Sequence, residues 1–131
     1  MRELLTRRAG VALALLAACA TATCSDAPPP GAEYRTVPHG NAQRGRVLLA
    51  RYQCGSCHAV PGIPGRSIGR GPALDGFGLR SYIAGRVPNS PATLQQWLQA
   101  PQSLVPETTM PALGVSPDDA RDIAAYLLSL S

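Results

Sequence analysis

The sequence predicts a small all-α domain with three main helices and long loops. Three segments place apolar side chains at helical spacing, each behind a residue that can cap a helix. Residues 61–89 are rich in glycine and proline, so they are expected to be mostly loop. No segment alternates apolar and polar residues convincingly, and no sheet is expected. The length of 131 residues suggests one domain.

The first predicted helix covers residues 41–52, "NAQRGRVLLARY". Asn41 can cap its N-terminus, because its side-chain oxygen can accept a hydrogen bond from a backbone N–H of the first turn. Val47, Leu48 and Leu49 are expected to supply the apolar face of this helix.

The second predicted helix covers residues 91–100, "PATLQQWLQA". Ser90 can cap it, Pro91 suits the first helical position, and Pro101 is expected to stop it. Its apolar side chains follow the i, i+3, i+4 pattern: Leu94, Trp97 and Leu98.

The third predicted helix, residues 117–129, gives the clearest pattern. Ser116 can cap it, Pro117 opens its first turn, and Asp118 and Asp119 favour the positive end of the helix dipole. One continuous apolar face is formed by Ala120, Ile123, Ala124, Leu127 and Leu128.

The N-terminus, residues 1–18, resembles a secretory signal of the lipoprotein type. Three arginines precede the uncharged apolar run 9–18. This run is about ten residues long, whereas a membrane-spanning helix needs about 20. "LAAC", residues 16–19, resembles the lipobox of bacterial lipoproteins, in which the cysteine becomes the lipidated first residue. We therefore expect a lipid anchor on Cys19.

An alternative cleavage site is "ATA", residues 20–22, which would release a soluble protein after Ala22. In both cases the protein is expected to be exported to the periplasmic side of a bacterial membrane. Residues 19–40 are rich in alanine and proline and predict a flexible tether, stiffened at residues 28–30. The folded domain is expected to cover residues 41–131.

The charge of the chain argues against nucleic acid as a partner. All twelve basic residues are arginine. Removal of residues 1–18 takes away three arginines and Glu3, which leaves nine arginines against seven acidic residues. A formal charge of +2 gives only a weak field, and nucleic-acid binding is not supported.

The predicted domain is poor in large apolar side chains. The whole chain has one Phe and one Trp. A domain of this size with such a long Gly/Pro-rich middle has a thin core of its own. A large apolar cofactor would supply the missing interior.

The motif "CGSCH", residues 54–58, allows three interpretations. A redox dithiol of the thioredoxin kind requires a strand before the motif, whereas here it follows a helix. A structural zinc site requires four ligands, and the domain has no second cysteine pair. The third interpretation is covalent haem c, in which Cys54 and Cys57 form thioethers and His58 ligates the iron. The export signal, the helices and the thin core favour haem.

A six-coordinate haem iron needs a second axial ligand. Met110 is the only methionine besides the initiator, and it lies in the loop "PETTMPAL" between the second and third helices. Its polar surroundings, outside any helical stripe, argue against a role as core filler. The rival ligand is His39 in the tether, which would give a bis-histidine haem.

With these residues, the sequence resembles a class I monohaem cytochrome c over residues 41–131. "NAQRGRVLLARYQCGSCHAV" resembles the first helix and haem motif of that family, and "DIAAYLLSL" its last helix. The resemblance implies that the carbonyl of Pro72, in "GPAL", accepts a hydrogen bond from His58 and orients it. It also places Gly45, Leu49 and Tyr126 where the two helices cross. The implied fold is a small cytochrome c fold around one covalent haem.

The segment from residue 82 to 116 resembles more narrowly the cytochrome c domain fused to subunit II of bacterial haem–copper oxidases. "PNSP", the Trp before "AP" and "TTMP" carry this resemblance. It implies that Trp97 donates to a haem propionate, with plain core packing as the equal alternative. Arg80 and Arg86 are further propionate candidates. The subunit II copper domain and membrane anchor have no counterpart in this sequence.

The expected function is one-electron transfer between envelope redox proteins, with no catalysis and no small-molecule substrate. The partners are expected to be a donor and an acceptor protein, with a haem–copper oxidase as a candidate acceptor, and the carrier itself is expected to be a monomer. Two alternatives remain: a haem c subunit of an oxidase or dehydrogenase complex, and a haem-based ligand sensor or peroxidase in which Met110 is labile.

Overall fold

Four α-helices form the framework in the computed structural model, which describes residues 32–65 and 67–131. They are α1 (Ala42–Arg51), α2 (Pro91–Gln99), α3 (Pro101–Leu104) and α4 (Pro117–Ser129). Short 3₁₀ helices lie between them in sequence at Cys54–Ser56 and Phe77–Leu79, and a further one, Ala32–Arg35, precedes α1. The all-α prediction is confirmed. The predicted signal segment, Cys19 and residues 19–31 of the predicted tether lie outside the described residues.

The three main helices begin at the predicted caps. Asn41, Ser90 and Ser116 each accept a hydrogen bond from the backbone N–H three residues later, at 2.9, 3.2 and 3.2 Å. These bonds satisfy donors that have no partner inside the helix. Within the described part of the chain, no helix combines the length and apolar content that crossing a membrane requires.

The apolar face of α1 differs from the prediction. Leu48 and Leu49 are buried, but Val47 is 63% exposed. Successive residues of an α-helix point about 100° apart. Three consecutive side chains therefore cannot all face the core, and the buried stripe of α1 runs through Gly45, Leu48 and Leu49 instead.

Pro101 ends α2 as predicted, but a second helical turn starts there. The buried Pro101 is the first residue of α3, which ends at Leu104. Proline fits this position because the first turn of a helix needs no backbone N–H from it. The segment after α2 was expected to be loop; instead α3 lies at the start of the segment that leads to Met110.

A small antiparallel hairpin interrupts the Gly/Pro-rich region, where no sheet was expected. Strand β1 (Tyr82–Ile83) pairs with β2 (Val87–Pro88), with Ile83 opposite Val87. Ala84 and Gly85 in the turn both have positive φ, 50° and 68°. Strands of two residues are too short to show the alternation by which a strand is recognised in a sequence.

Helices α1 and α4 cross in direct backbone contact. A Cβ on Gly45 would overlap the carbonyl oxygen of Asp122 on α4. Apolar residues of α1, α2 and α4 then form the core on either side of this crossing, with Leu49, Leu94 and Ile123 among the most deeply buried. The small residue predicted at the crossing is therefore required by its geometry.

Polar contacts also join α1 and α4. Arg44 on α1 pairs with both Asp119 and Asp122, which are 8% and 2% exposed. The Tyr52 hydroxyl donates to Asp119 at 2.8 Å, and the Asn41 backbone N–H donates to Asp122 at 2.9 Å. Asp119 was expected only to complement the helix dipole; the structure adds this interhelical role.

These contacts lower the pKa of both carboxyl groups. For Asp119, the hydrogen bond from Tyr52 and the Arg44 guanidinium together outweigh the opposing effect of burial. For Asp122, burial raises the pKa, but the Asn41 N–H and Arg44 more than offset this. Both carboxylates are thus held in the charged form that their partners need.

We expect Gly45→Ala to destabilise the protein by about 1–3 kcal/mol, because an added methyl group would push the two helix backbones apart. At an ordinary exposed helical site, the same change would stabilise by about 0.4–1 kcal/mol. Thermal unfolding of the purified variant measures the effect, with Val47→Ala as the exposed control on the same helix. A Gly45→Ala protein as stable as the parent would contradict the close crossing.

The Asp119 and Asp122 contacts also predict acid sensitivity. A carboxyl group whose pKa is lower in the folded state stabilises the fold above its unfolded pKa, near 4, and loses this effect as pH falls through the folded pKa. Arg44→Met should bring the pKa values of Asp119 and Asp122 closer to normal. The midpoint of acid unfolding should therefore move to higher pH, by a fraction of a pH unit. Circular dichroism during acid titration tests this. Arg51→Met, an exposed change on the same helix, should leave the midpoint unchanged.

Candidate cofactor site

A cavity of about 710 Å³ lies between α2 and the loops on either side of the hairpin. This volume falls within the range of about 300–1,000 Å³ that is usual for cofactor sites. Its walls combine buried apolar side chains with polar groups from four loop segments. The apolar residues include Leu74, Phe77, Ile83 and Trp97.

The "CGSCH" segment directly follows α1. Gln53 adopts a left-handed conformation, with φ 56°, and turns the chain into the 3₁₀ helix Cys54–Ser56. Cys57 and His58 line the cavity. Cys54 is not part of the lining; it packs, partly buried, against the apolar core, and burial raises the pKa of its thiol. Both thiols are free.

His58 is oriented by the loop that follows. Its Nδ1 lies 2.7 Å from the carbonyl oxygen of Pro72. A carbonyl can only accept, so Nδ1 carries the proton and donates it. In the neutral imidazole, Nε2 then carries no proton and can act as a ligand, which is the arrangement that commonly orients metal-binding histidines. The contact implied by the family resemblance is present.

Residues 67–74 run back across the "CGSCH" segment and fix it. The backbone N–H of Gly71 donates to the Cys57 carbonyl at 3.0 Å, and that of Leu74 donates to Ala59 at 2.8 Å. A Cβ on Gly71 would overlap the His58 imidazole. Glycine therefore allows the loop to approach closely enough for the Pro72 carbonyl to reach Nδ1.

Met110 lines the same cavity from the loop between α3 and α4. Its backbone N–H donates to Thr108 Oγ1 at 3.3 Å, and its carbonyl accepts from Gln102 Nε2 at 2.7 Å. The rival ligand, His39, is exposed in a turn before α1 and does not line the cavity. The structure thus brings Met110, and not His39, to the cavity that His58 lines.

Trp97 forms part of the cavity wall from α2 and is 7% exposed. Its indole N–H makes no hydrogen bond to any residue that the structure describes. The position is consistent with both alternatives for Trp97, because the residue is buried in the core and also lines the cavity.

The arginines near the site differ in their contacts. Arg80 lines the cavity, donates to the Asp75 carbonyl at 3.1 Å, and lies 5.5 Å from the centre of the Phe77 ring. Arg86 is not in the lining and pairs with Glu107. Arg70 lines the cavity and has no ion pair among the described residues, yet sequence reasoning missed it. Its position next to the "GPAL" loop was the available signal.

The two other interpretations of the motif find little support. A redox dithiol needs a cysteine with a lowered pKa, whereas burial raises that of Cys54. Its fold also places the motif after a strand, and here it follows α1. Across residues 32–65 and 67–131, no group of three or more His, Cys, Asp and Glu side chains lies close enough to hold a metal ion.

The donor set fits a covalently attached haem: two free thiols three residues apart, an oriented imidazole, a thioether and an apolar cavity. Such a site in a small all-α domain defines a haem-binding electron-transfer protein. The family model described as Cytochrome c matches residues 42–131. The chain therefore belongs to the cytochrome c family, and its cofactor is one covalently bound haem c with its iron.

A comparison with characterised proteins agrees. The chain is 39% identical over 90 residues to the cytochrome c oxidase subunit 2 of Alkalihalophilus pseudofirmus. The match covers 68% of this chain but 25% of that protein, so the chain spans about a quarter of the relative's length. The resemblance to an oxidase subunit II cytochrome domain is thus confirmed for the shared segment.

Proposed function

We propose that this protein is a one-electron carrier of the bacterial cell envelope that passes electrons toward a haem–copper oxidase. The observation that carries the proposal is that His58 and Met110 line one cavity, together with Cys57. The similarity to an oxidase subunit supports the direction of transfer. The carrier would act as a monomer between a donor and an acceptor protein.

In this proposal Cys54 and Cys57 would attach the haem, and His58 and Met110 would ligate its iron. The bound haem supplies the one-electron Fe(III)/Fe(II) couple. Pro72 keeps the proton of His58 on Nδ1, so that Nε2 can ligate. Two protein ligands leave no position for a substrate, which is why we expect electron transfer without catalysis.

The cavity walls would set the properties of the couple. Leu74, Phe77 and Ile83 are buried and apolar, and they would shield a bound haem from water. A low-dielectric environment disfavours the extra charge of the ferric state, and a thioether ligand favours ferrous iron. Both effects predict a relatively high reduction potential. Trp97 and Arg70 are available to bind the haem propionates.

The surface beside the attachment segment suits weak, reversible docking. Ile68 is 63% exposed, and its backbone N–H donates to the Ser56 carbonyl, next to Cys57. An exposed apolar side chain at this edge suits an electron port. Removal of residues 1–18 leaves a formal charge of +2, and the two propionates of the haem would bring the protein close to neutral. Docking should therefore depend little on salt.

A lipid on Cys19 would hold the carrier at the periplasmic face of a membrane. The tether of residues 19–40 would then raise the effective concentration of the domain near a membrane-bound partner. The similarity to an oxidase subunit also favours a second candidate: a separate haem c subunit that stays with its oxidase. The two differ in whether the carrier co-purifies stoichiometrically with the oxidase.

The optical spectra of the haem-loaded protein and of Met110→Ala test the ligand assignment. The ferric parent should show the weak far-red band of a sulfur–iron bond, and its ferrous form should not bind carbon monoxide. Met110→Ala should retain the haem, lose that band and bind carbon monoxide when reduced, because the sixth position opens. A ferrous variant that remains low-spin and closed to carbon monoxide would show that another residue is the ligand.

The mass of the exported protein tests the anchor. We expect a chain that begins at Cys19 and carries both lipid and haem. Cys19→Ser should release the protein from the membrane fraction, because stable anchoring needs the acyl chains, while its haem spectrum stays unchanged. A parent protein that begins at Thr23 without lipid would instead show the soluble periplasmic form.

A further inference from the structure

We propose that Gln102 is a positioning residue for Met110, which holds the ligand's backbone in place from α3. The inference rests on the proposed role of Met110 as an axial ligand. Gln102 was not singled out by its sequence, because an exposed glutamine near a proline carries no motif. Its role follows from its hydrogen bond to the Met110 carbonyl.

The Gln102 contact is the shorter of two that fix the Met110 backbone. Gln102 Nε2 donates to the Met110 carbonyl at 2.7 Å, whereas the Met110 N–H donates to Thr108 Oγ1 at 3.3 Å. The Thr108 N–H in turn donates to the Val105 carbonyl at 3.0 Å. Met110 is therefore held on both sides of its Cα, once from its own loop and once from α3.

The support for Gln102 is rigid because α3 is anchored at both ends. Pro101 at its start and Val105 just after its end are buried. The Val105 N–H donates to the Pro101 carbonyl at 3.0 Å and closes this turn. Gln102 extends from this anchored turn to the Met110 carbonyl. Its hydrogen bond therefore ties the loop of Met110 to a turn that is fixed in the core.

The role requires a hydrogen-bond donor at position 102. A carbonyl oxygen accepts only, and Gln102 meets it with its amide NH₂. Glutamate has the same shape but presents acceptor oxygens at neutral pH, so it would repel the carbonyl. Methionine has similar length and helix propensity but no donor. Gln102→Glu thus removes the donor while it keeps the shape of the side chain, and Gln102→Met removes the donor while it keeps helix stability.

The experiment uses the haem-loaded protein and measures the imidazole concentration that displaces Met110 from ferric iron. Loss of the far-red band reports the displacement. In Gln102→Met, we expect imidazole to displace Met110 at about two- to tenfold lower concentration than in the parent, the range that one net hydrogen bond spans. In Gln102→Glu, Met110 should be displaced at a still lower imidazole concentration. Haem content and melting temperature should stay near those of the parent.

Gln96→Glu is the matched control. Gln96 is an exposed glutamine on α2 that contacts Ser103, at 3.4 Å, and not Met110. Its substitution should leave imidazole displacement unchanged. Equal behaviour of the parent and both Gln102 variants would overturn the proposal. Easier displacement of Met110 in Gln96→Glu, to the same extent as in the Gln102 variants, would also overturn it, because the effect would then reflect general helix destabilisation. A parent protein without the far-red band would refute the Met110 assignment itself, which distinguishes the two failures.

Discussion

The backbone contact between α1 and α4 is the constraint on which the rest of the structure depends. Gly45 has no side chain, so the helices cross at the distance that their backbones allow. Arg44, Asp119 and Asp122 then fix the rotation of one helix against the other. Because the "CGSCH" segment directly follows α1, the crossing also determines where the thiols and His58 lie. A wider crossing would move the attachment segment relative to the core.

The loop of residues 67–74 also depends on a glycine that allows a close approach. Gly71 lets the chain pass against the imidazole, and the backbone bonds of residues 67–74 hold the loop there. The Pro72 carbonyl can therefore select one tautomer of His58. Two positions without a side chain thus serve the same histidine: one sets the place of its backbone, the other the orientation of its ring. In both cases the absence of a side chain allows the close approach, and polar contacts then fix it.

Local signals in the sequence were sufficient for the three main helices and for the motif, but not for α3. Caps such as Asn41 and Ser116 depend on residues three positions apart, and the thiol pair and His58 lie within five residues. Contacts between distant segments were not predictable in this way. The ion-pair partner of Asp122 is Arg44, 78 positions away, and the exposure of Val47 depends on which side of α1 meets α4. Gln102 and the two-residue strands lack any periodic pattern, so only the folded chain shows their roles. Arg70 was marked in the sequence only by its position next to the "GPAL" loop.

The two candidate axial ligands are supported very differently, and this asymmetry bears on electron transfer. His58 lies just after the 3₁₀ helix Cys54–Ser56, and a second loop crosses this segment with several backbone hydrogen bonds. Met110 lies in a loop, and two hydrogen bonds fix its backbone. A thioether is a weak donor to ferric iron, so its retention depends on how firmly the protein positions it. Electron transfer is fastest when the ligand set is the same in both oxidation states, since no bond then has to form or break. If Met110 is the second ligand, as we propose, the contacts of Gln102 and Thr108 would act where the site is weakest, because they limit the movement of the Met110 backbone.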